Sequence, residues 1–135
     1  MKDTEKLIYL ASPYSKYPEG RQKAFEEVCA KTAELMQIGY KVFSPIAHSH
    51  PIEQYGKIPS SEGTHDFWLR QDFAILDMSD ELWVYKMPGW EDSYGVNAEI
   101  ERAKDLDIPV KYISYHGGYV KAITEVVRGW IGATG

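Results

Sequence analysis

Apolar residues in this chain fall into short dense runs separated by longer stretches where they recur every three or four positions. Leu7-Ile8-Tyr9-Leu10-Ala11 is one such run, closed by Ser12-Pro13, and reads as a buried strand that ends in a loop. From Gly20 to Met36 the residues Phe25, Val28, Thr32, Leu35 and Met36 take the spacing of an amphipathic helix, and Gly39 ends it. Lys41-Val42-Phe43 reads as a second strand. Ser44 to Thr64 holds three prolines and two glycines without periodicity, which predicts a long loop of the kind that usually carries function. A helix over His65 to Met78 follows, then a strand over Glu81 to Tyr85 and a turn around Pro88-Gly89. Ser93 to Leu106 reads as a helix, Val110 to Ile113 as a strand, and Tyr119 to Trp130 as a last helix.

Strands alternating with helices predict an α/β domain with a mostly parallel sheet of four to five strands, covered by helices on both faces. No linker, repeat or low-complexity tract divides residues 1–135, so one domain is expected. Ligands of such sheets sit beyond the carboxyl ends of the strands. That rule places Ser12 to Tyr17, Ser44 to His50 and Met87 to Ser93 on one rim.

Two acidic residues fall on the wrong side of their helices. At roughly 100° per residue, Val96, Ile100, Ala103 and Leu106 occupy an arc of about 120°, and Glu99 lies inside it. On the preceding helix the apolar arc holds Trp68, Leu69, Phe73, Ile75 and Leu76, with Asp72 near its middle. A carboxylate facing a core costs several kcal/mol unless a partner or a task compensates. A cap or a buried ion pair is the structural explanation for such a residue; it suits Asp80, just before a strand, as a turn or capping residue. Two carboxylates converging on a cleft can instead serve as nucleophile and acid/base for glycosidic chemistry. Glu99 lies under two turns from a helix start whose field favours its ionised form. At that start Ser93 and Gly95 offer a hydroxyl, backbone N–H groups and no obstructing side chain, which suits an anion.

A formal charge of −5 repels phosphate polymers and anionic lipid surfaces, so neither nucleic acid nor membrane is an expected partner. No apolar run reaches the roughly 18 residues a membrane span needs, and the start Met1 to Lys6 lacks a signal-peptide pattern. A cytoplasmic protein is expected. The single cysteine, Cys29, cannot form an internal bridge and reads as a small buried hydrophobe.

The segment Asp92-Ser93-Tyr94-Gly95-Val96-Asn97-Ala98-Glu99 resembles the signature loop and helix of the nucleoside 2-deoxyribosyltransferase superfamily. Its members include the transferases, the 2'-deoxynucleoside 5'-phosphate N-hydrolases and small families of unknown function. Ile8-Tyr9-Leu10-Ala11-Ser12-Pro13-Tyr14, Gln71-Asp72, Asp80, Ser93-x-Gly95-x-x-x-Glu99 and Ile108-Pro109-Val110 follow the same order across residues 7–113. The resemblance implies a Rossmann-like (flavodoxin-like) fold and cleavage or transfer of an N-glycosidic bond in a small nucleoside or nucleotide. It implies that Glu99 attacks C1' to form a glycosyl ester, that Asp72 handles the proton of the base, and that Tyr9 orients Glu99. Ser93 and Ser12 would meet the 5' end of the sugar or its phosphate. A homo-oligomer, dimer or tetramer, is also implied, and no cofactor. Three features depart from the pattern: Glu101 stands where members usually have glycine, Pro13 to Pro18 replaces the Gly-rich first loop of the phosphohydrolases, and the Ser44 to Thr64 loop matches nothing in the family.

Other residues have two readings each. Trp90, beside Asp92 on the rim, and Tyr14 suit either stacking on a nucleobase or plain surface, whereas Trp68 and Trp83 read as core. His48, His50, His65 and Asp66 could bind a metal, but their spacing is not diagnostic; His48 suits a hydrogen bond to the base equally well. Arg21 and Lys16 suit either phosphate contact or a solvated helix start. Besides the glycosyl enzyme, two alternatives stand at this level. One is a non-catalytic nucleotide-binding module, and the other a metal-dependent hydrolase using His48, His50 and Asp66.

Overall fold

A computed structural model describes residues 5–58 and 65–116. Strands β1 (Leu7–Ala11), β2 (Lys41–Phe43), β3 (Glu81–Tyr85) and β4 (Val110–Ile113) occupy the residues that the apolar runs predict. They form one parallel sheet in the order β2-β1-β3-β4. Helices α1 (Arg21–Ile38), α3 (His65–Leu76) and α4 (Tyr94–Asp105) also lie where periodicity predicts them. This is the expected Rossmann-like α/β architecture. The last helix expected, over Tyr119 to Trp130, lies outside the described residues.

Register decides which side chains meet which helices. Tyr9 pairs with Phe43 on one side and Leu82 on the other, and Leu82 pairs with Val110. These residues share one face and join Leu76, Val96, Ile100 and Ala103 of α3 and α4 in one core. Leu10 and Tyr85 point the other way and pack with Ala24, Val28 and Leu35 of α1. The sheet is therefore covered on both faces, as an all-parallel sheet must be. Gly39 at φ +122 closes α1, its N–H reaching the Leu35 and Met36 carbonyls.

Three expectations are corrected. Ser44 to Thr64 is not a long loop: Pro45–Gly56 forms helix α2, started by the Ser44 hydroxyl accepting from the Ala47 N–H at 3.1 Å and by Pro45 in the first turn. Met36 does not join the inner face of α1 but is exposed, because Leu35, one position earlier, fills that place. Leu106 caps the end of α4 and is exposed, while the buried residues of that helix are Val96, Glu99, Ile100 and Ala103. Cys29 is half-buried, and burial raises its thiol pKa, which keeps it a poor nucleophile.

Polar groups pin the sheet edges. Asp80 accepts the Leu7 N–H at 2.7 Å and donates its own N–H to the Leu7 carbonyl at 2.8 Å, so it ties the start of β1 to the start of β3 across the sheet, in place of the local turn or cap expected from the sequence. Glu81 is buried and receives Lys6 at 3.0 Å, Lys111 at 2.9 Å and the Trp83 indole at 2.8 Å. Burial pushes its carboxyl up, but the bonds from Lys111, Trp83 and Lys6 outweigh it and hold the group at about 2. A folded value below the unfolded one gives stability that is complete above about pH 4.5 and is lost as pH falls toward 2. Glu81→Gln is expected to cost about 1–3 kcal/mol at neutral pH. Thermal melts of this variant should also lose stability less steeply across that acid window than the wild type does.

Among the described residues no helix is long and apolar enough to cross a membrane.

Candidate active site

Strand order reverses between β1 and β3: the chain runs from β1 outward to β2, then returns to build β3 and β4 on the other side. The crevice outside that switch point is where open parallel sheets bind ligands. A cleft with about 720 Å³ of empty space, its mouth included, opens there. Ser12 and Tyr14 enter it from the loop after β1, Pro45, Ile46 and Ser49 from α2, and Trp68 and Asp72 from α3. Ser93, Gly95 and Glu99 enter from the start of α4.

Glu99 is buried, and Tyr9 on β1 donates its hydroxyl to Glu99 Oε2. Register explains the meeting, since Tyr9 faces the α3/α4 side of the sheet. Asp72, one-tenth exposed at most, shares the pocket. Burial pushes Asp72 up to about 7. Burial also raises Glu99 to about 8; the Tyr9 hydrogen bond pulls it down and the Asp72 charge pushes it up. Burial, then Glu99 and Asp72, raise Tyr9 well above its ordinary value, so its phenol stays protonated and remains a donor. The two carboxyls form a coupled pair that retains a proton near neutral pH, an arrangement able to supply one base and one acid.

Ser93 caps α4, its hydroxyl accepting the Val96 N–H at 3.2 Å, while Asn97 ties the loop by donating to the Glu91 and Ser93 carbonyls at 2.9 Å each. A Cβ at Gly95 would meet nothing within 4 Å. Packing within the protein therefore does not demand glycine there, and the space belongs to the cleft. The Arg21 guanidinium lies 5.4 Å from the centre of the Tyr14 ring and lines the same cleft.

Tyr14 is held from behind. Its hydroxyl lies 2.6 Å from His50 Nδ1 and donates to Glu53 at 3.3 Å, while His50 Nε2 lies 3.0 Å from Gln22 and 3.2 Å from Gln54. His50 is buried, and its ring stacks on Phe25 at 4.2 Å. Both ring nitrogens are thus engaged within the protein. His48 is exposed beside Phe43, Asp66 is exposed at the start of α3, and His65 stacks on Tyr94. The structure does not assemble His48, His50 and Asp66 into a ligand set, and among the described residues no group of three or more His, Cys, Asp or Glu could hold a metal ion.

Of the ten site residues named from sequence, Tyr9, Ser12, Tyr14, Asp72, Ser93, Gly95 and Glu99 converge on this crevice. Tyr9, fully buried, reaches it through its bond to Glu99, and three others neither line it nor bond a residue of the carboxylate pair. His48 is exposed on α2, Trp90 packs against the α3/α4 core and Tyr112, and Asp92 lines an adjoining outer groove with Asp66 and Glu101. Trp68, read as core, lines the cleft instead; Ser49 and Glu53 join it because α2 is a helix.

The loops after β1 and β3 are clamped together at Gly89, whose φ is +93. A Cβ there would sit 2.2 Å from the Lys16 carbonyl oxygen. Gly89→Ala is expected to lower stability by about 1–3 kcal/mol from backbone strain alone, and the melting temperature reads this loss. The clash would also displace the loop carrying Ser12 and Tyr14.

Together these features define an α/β protein with a carboxylate pair buried in a switch-point cleft. A solved structure of the 2-deoxyribosyltransferase of the psychrotolerant bacterium Bacillus psychrosaccharolyticus has a similar fold. The match covers 82% of this chain and 74% of that one, at 21% sequence identity and a TM-score of 0.53. Residues 6–115 match the model of a family described as a domain of unknown function, DUF1937, and the chain belongs to that family. Comparison with curated proteins finds no match.

Proposed function

We propose that the protein cleaves or transfers the N-glycosidic bond of a small nucleoside or nucleotide. The observation that carries this reading is the Tyr9–Glu99 hydrogen bond next to Asp72, buried in a cleft at the switch point. The reaction runs from the form of the pair whose shared proton lies on Asp72, which the Tyr9 hydrogen bond to Glu99 favours; Glu99, as carboxylate, then attacks C1' while the bond from C1' to the base nitrogen breaks. Asp72 gives its proton to the departing base, and a glycosyl ester to Glu99 remains. Water or a second base, losing its proton to Asp72, then attacks C1' and frees Glu99. Tyr9 holds the attacking oxygen in place and never needs to ionise. Ser12 and Ser93 are positioned to meet the sugar or its 5' substituent, and the acid/base pair requires no cofactor.

The likeness in fold to a 2-deoxyribosyltransferase supports this chemistry. A homo-oligomer belongs to the same proposal, supported by exposed Tyr55, Phe67 and Tyr94; sedimentation of a clean monomer at micromolar concentration would remove it. To test the activity, the protein is incubated with deoxynucleosides, ribonucleosides and their 5'-monophosphates, and free base is followed by chromatography. Base release that Glu99→Ala abolishes supports the proposal. Tight binding of a nucleotide with no release would make the cleft a binding module instead.

A further inference from the structure

His50 is a buried titratable side chain that the proposed reaction does not use, yet its polar contacts join three parts of the fold. Gln22 and Glu26 stand on α1, His50, Glu53 and Gln54 on α2, and Tyr14 on the loop after β1. The Gln22 amide donates to the Glu26 carboxylate at 3.0 Å, which fixes its nitrogen on that side and leaves its oxygen facing His50 Nε2, also at 3.0 Å. An amide oxygen can only accept, so Nε2 carries a hydrogen. Gln54 lies 3.2 Å from the same nitrogen, and no second bond among the described residues fixes its amide. With that amide turned, its oxygen shares the same hydrogen.

In the neutral imidazole Nδ1 is then an acceptor, and the group before it at 2.6 Å is the Tyr14 hydroxyl. Burial first and the Glu53 charge next raise that phenol to about 12, against the pull of Arg21, so it keeps a proton to donate. Glu53, at 3.3 Å, is the weaker of its two acceptors. The chain of contacts ends at a wall of the cleft, because Tyr14 is partly exposed and lines the same space as Asp72 and Glu99. A loop tyrosine has two side-chain torsions, and fixing them in advance reduces the ordering that a ligand must impose on binding. An apolar residue at position 50 would fill the space against Phe25 with no polar partners to align. A buried network of this kind specifies one arrangement more than it adds stability.

We propose that His50 is a positioning residue, which in its Nε2–H tautomer accepts the Tyr14 hydroxyl and locks the Tyr14 ring as a substrate-binding wall of the cleft. This inference rests on the proposed function for what the wall binds, and adds a residue that acts on it from behind. The Tyr14 hydroxyl bonds His50 and Glu53 and neither member of the carboxylate pair. The lock therefore acts on substrate binding and leaves the bond-breaking step to Asp72 and Glu99.

Three substitutions test it on KM and kcat for base release. His50→Phe keeps a ring to stack on Phe25 and removes the bond, Tyr14→Phe removes it from the other side, and His50→Asn keeps an acceptor oxygen in the place of Nδ1. Both phenylalanine variants are expected to raise KM about three- to ten-fold with kcat within about two-fold of wild type, and the double variant to be no worse than either. His50→Asn should stay within about two-fold of wild type in both constants. A merely structural role predicts the reverse order, since His50→Asn loses both the stacked ring and the Gln22 bond. Unchanged KM in Tyr14→Phe, or His50→Asn as the most damaged variant, would overturn the inference while leaving the glycosidic reading in place. Should His50→Phe fail to fold, Tyr14→Phe carries the kinetic comparison alone. A second measurement needs no turnover: nitrogen–proton correlation spectra in alkaline buffer distinguish the tautomers of the four histidines. His50 is expected as the Nε2–H form, with an Nδ1 resonance that moves in Tyr14→Phe. An Nδ1–H tautomer, or an Nδ1 resonance indifferent to Tyr14→Phe, counts against the lock. If no nucleoside or nucleotide is bound or cleaved, the function proposed above fails and these resonances decide the inference by themselves.

Discussion

Glu99→Ala is expected to lower base release by about 10⁴-fold or more, because it deletes the atom that forms the covalent bond and not merely a group that assists it. The fold should survive: among the described residues Glu99 makes no ion pair and its charge neighbour, Asp72, is of like sign, so the loss is the buried Tyr9 hydrogen bond, about 1–3 kcal/mol. Far-UV circular dichroism and melting temperature check this beside the assay. Asp72→Asn is expected to cost about 10²–10⁴-fold in kcat, the range for a lost general acid or base. The loss should be smallest for substrates whose base leaves without needing a proton. Equal activity of Glu99→Ala and wild type would remove Glu99 from the reaction.

The same two carboxyls should govern how stability depends on pH. Asp72 and Glu99 ionise near 3.8 and 4.5 when exposed, but at about 7 and 8 in the folded protein. The unfolded chain therefore releases these protons first. Stability should be complete below pH 4 on their account, decline as pH rises through 7 and 8, and level off above. Asp72→Asn, which cannot ionise, should flatten part of that decline and melt above wild type at pH 8 to 9, by on the order of 2–4 kcal/mol. Denaturant titrations across pH 4 to 9 measure it. A variant that is less stable than wild type at high pH would show that the Asp72 charge is compensated after all. This loss lies at the opposite end of the pH scale from the one expected of Glu81, whose carboxyl is held low by its three donors. Of these three buried acids, Glu81 is paired for stability, whereas Asp72 and Glu99 are held in the cleft at a cost.

How much of this was legible in the sequence follows from what each signal depends on. Strand positions were legible because a strand buried on both faces leaves an uninterrupted apolar run, as in residues 7–11 and 82–85. Glu99 and Asp72 were legible because helical periodicity is local: an acid inside an apolar arc stands out before any partner is known. Helix α2 was not. Pro45 and Pro51 suggested a loop, yet Pro45 occupies the first turn, where its missing N–H costs nothing, and the Ser44 cap supplied the one positive cue. Pro51 removes one internal hydrogen bond, a cost that packing of α2 against α1 and β1 offsets. Trp68 was hidden for a different reason. An apolar stripe facing a core and one facing a cleft have the same periodicity, and only the placement of α2 and α3 around the switch point distinguishes them. His48 and Trp90 failed similarly, since a position on the correct rim does not fix the direction of a side chain.

The measurement that tests the central claim most directly is mass spectrometry of the protein quenched in acid during turnover of a deoxynucleoside. The account predicts a deoxyribosyl adduct on the peptide containing Glu99, formed at the rate of first base release and absent from Glu99→Ala. Base release with every carboxylate unmodified, or an adduct on a different residue, would contradict it.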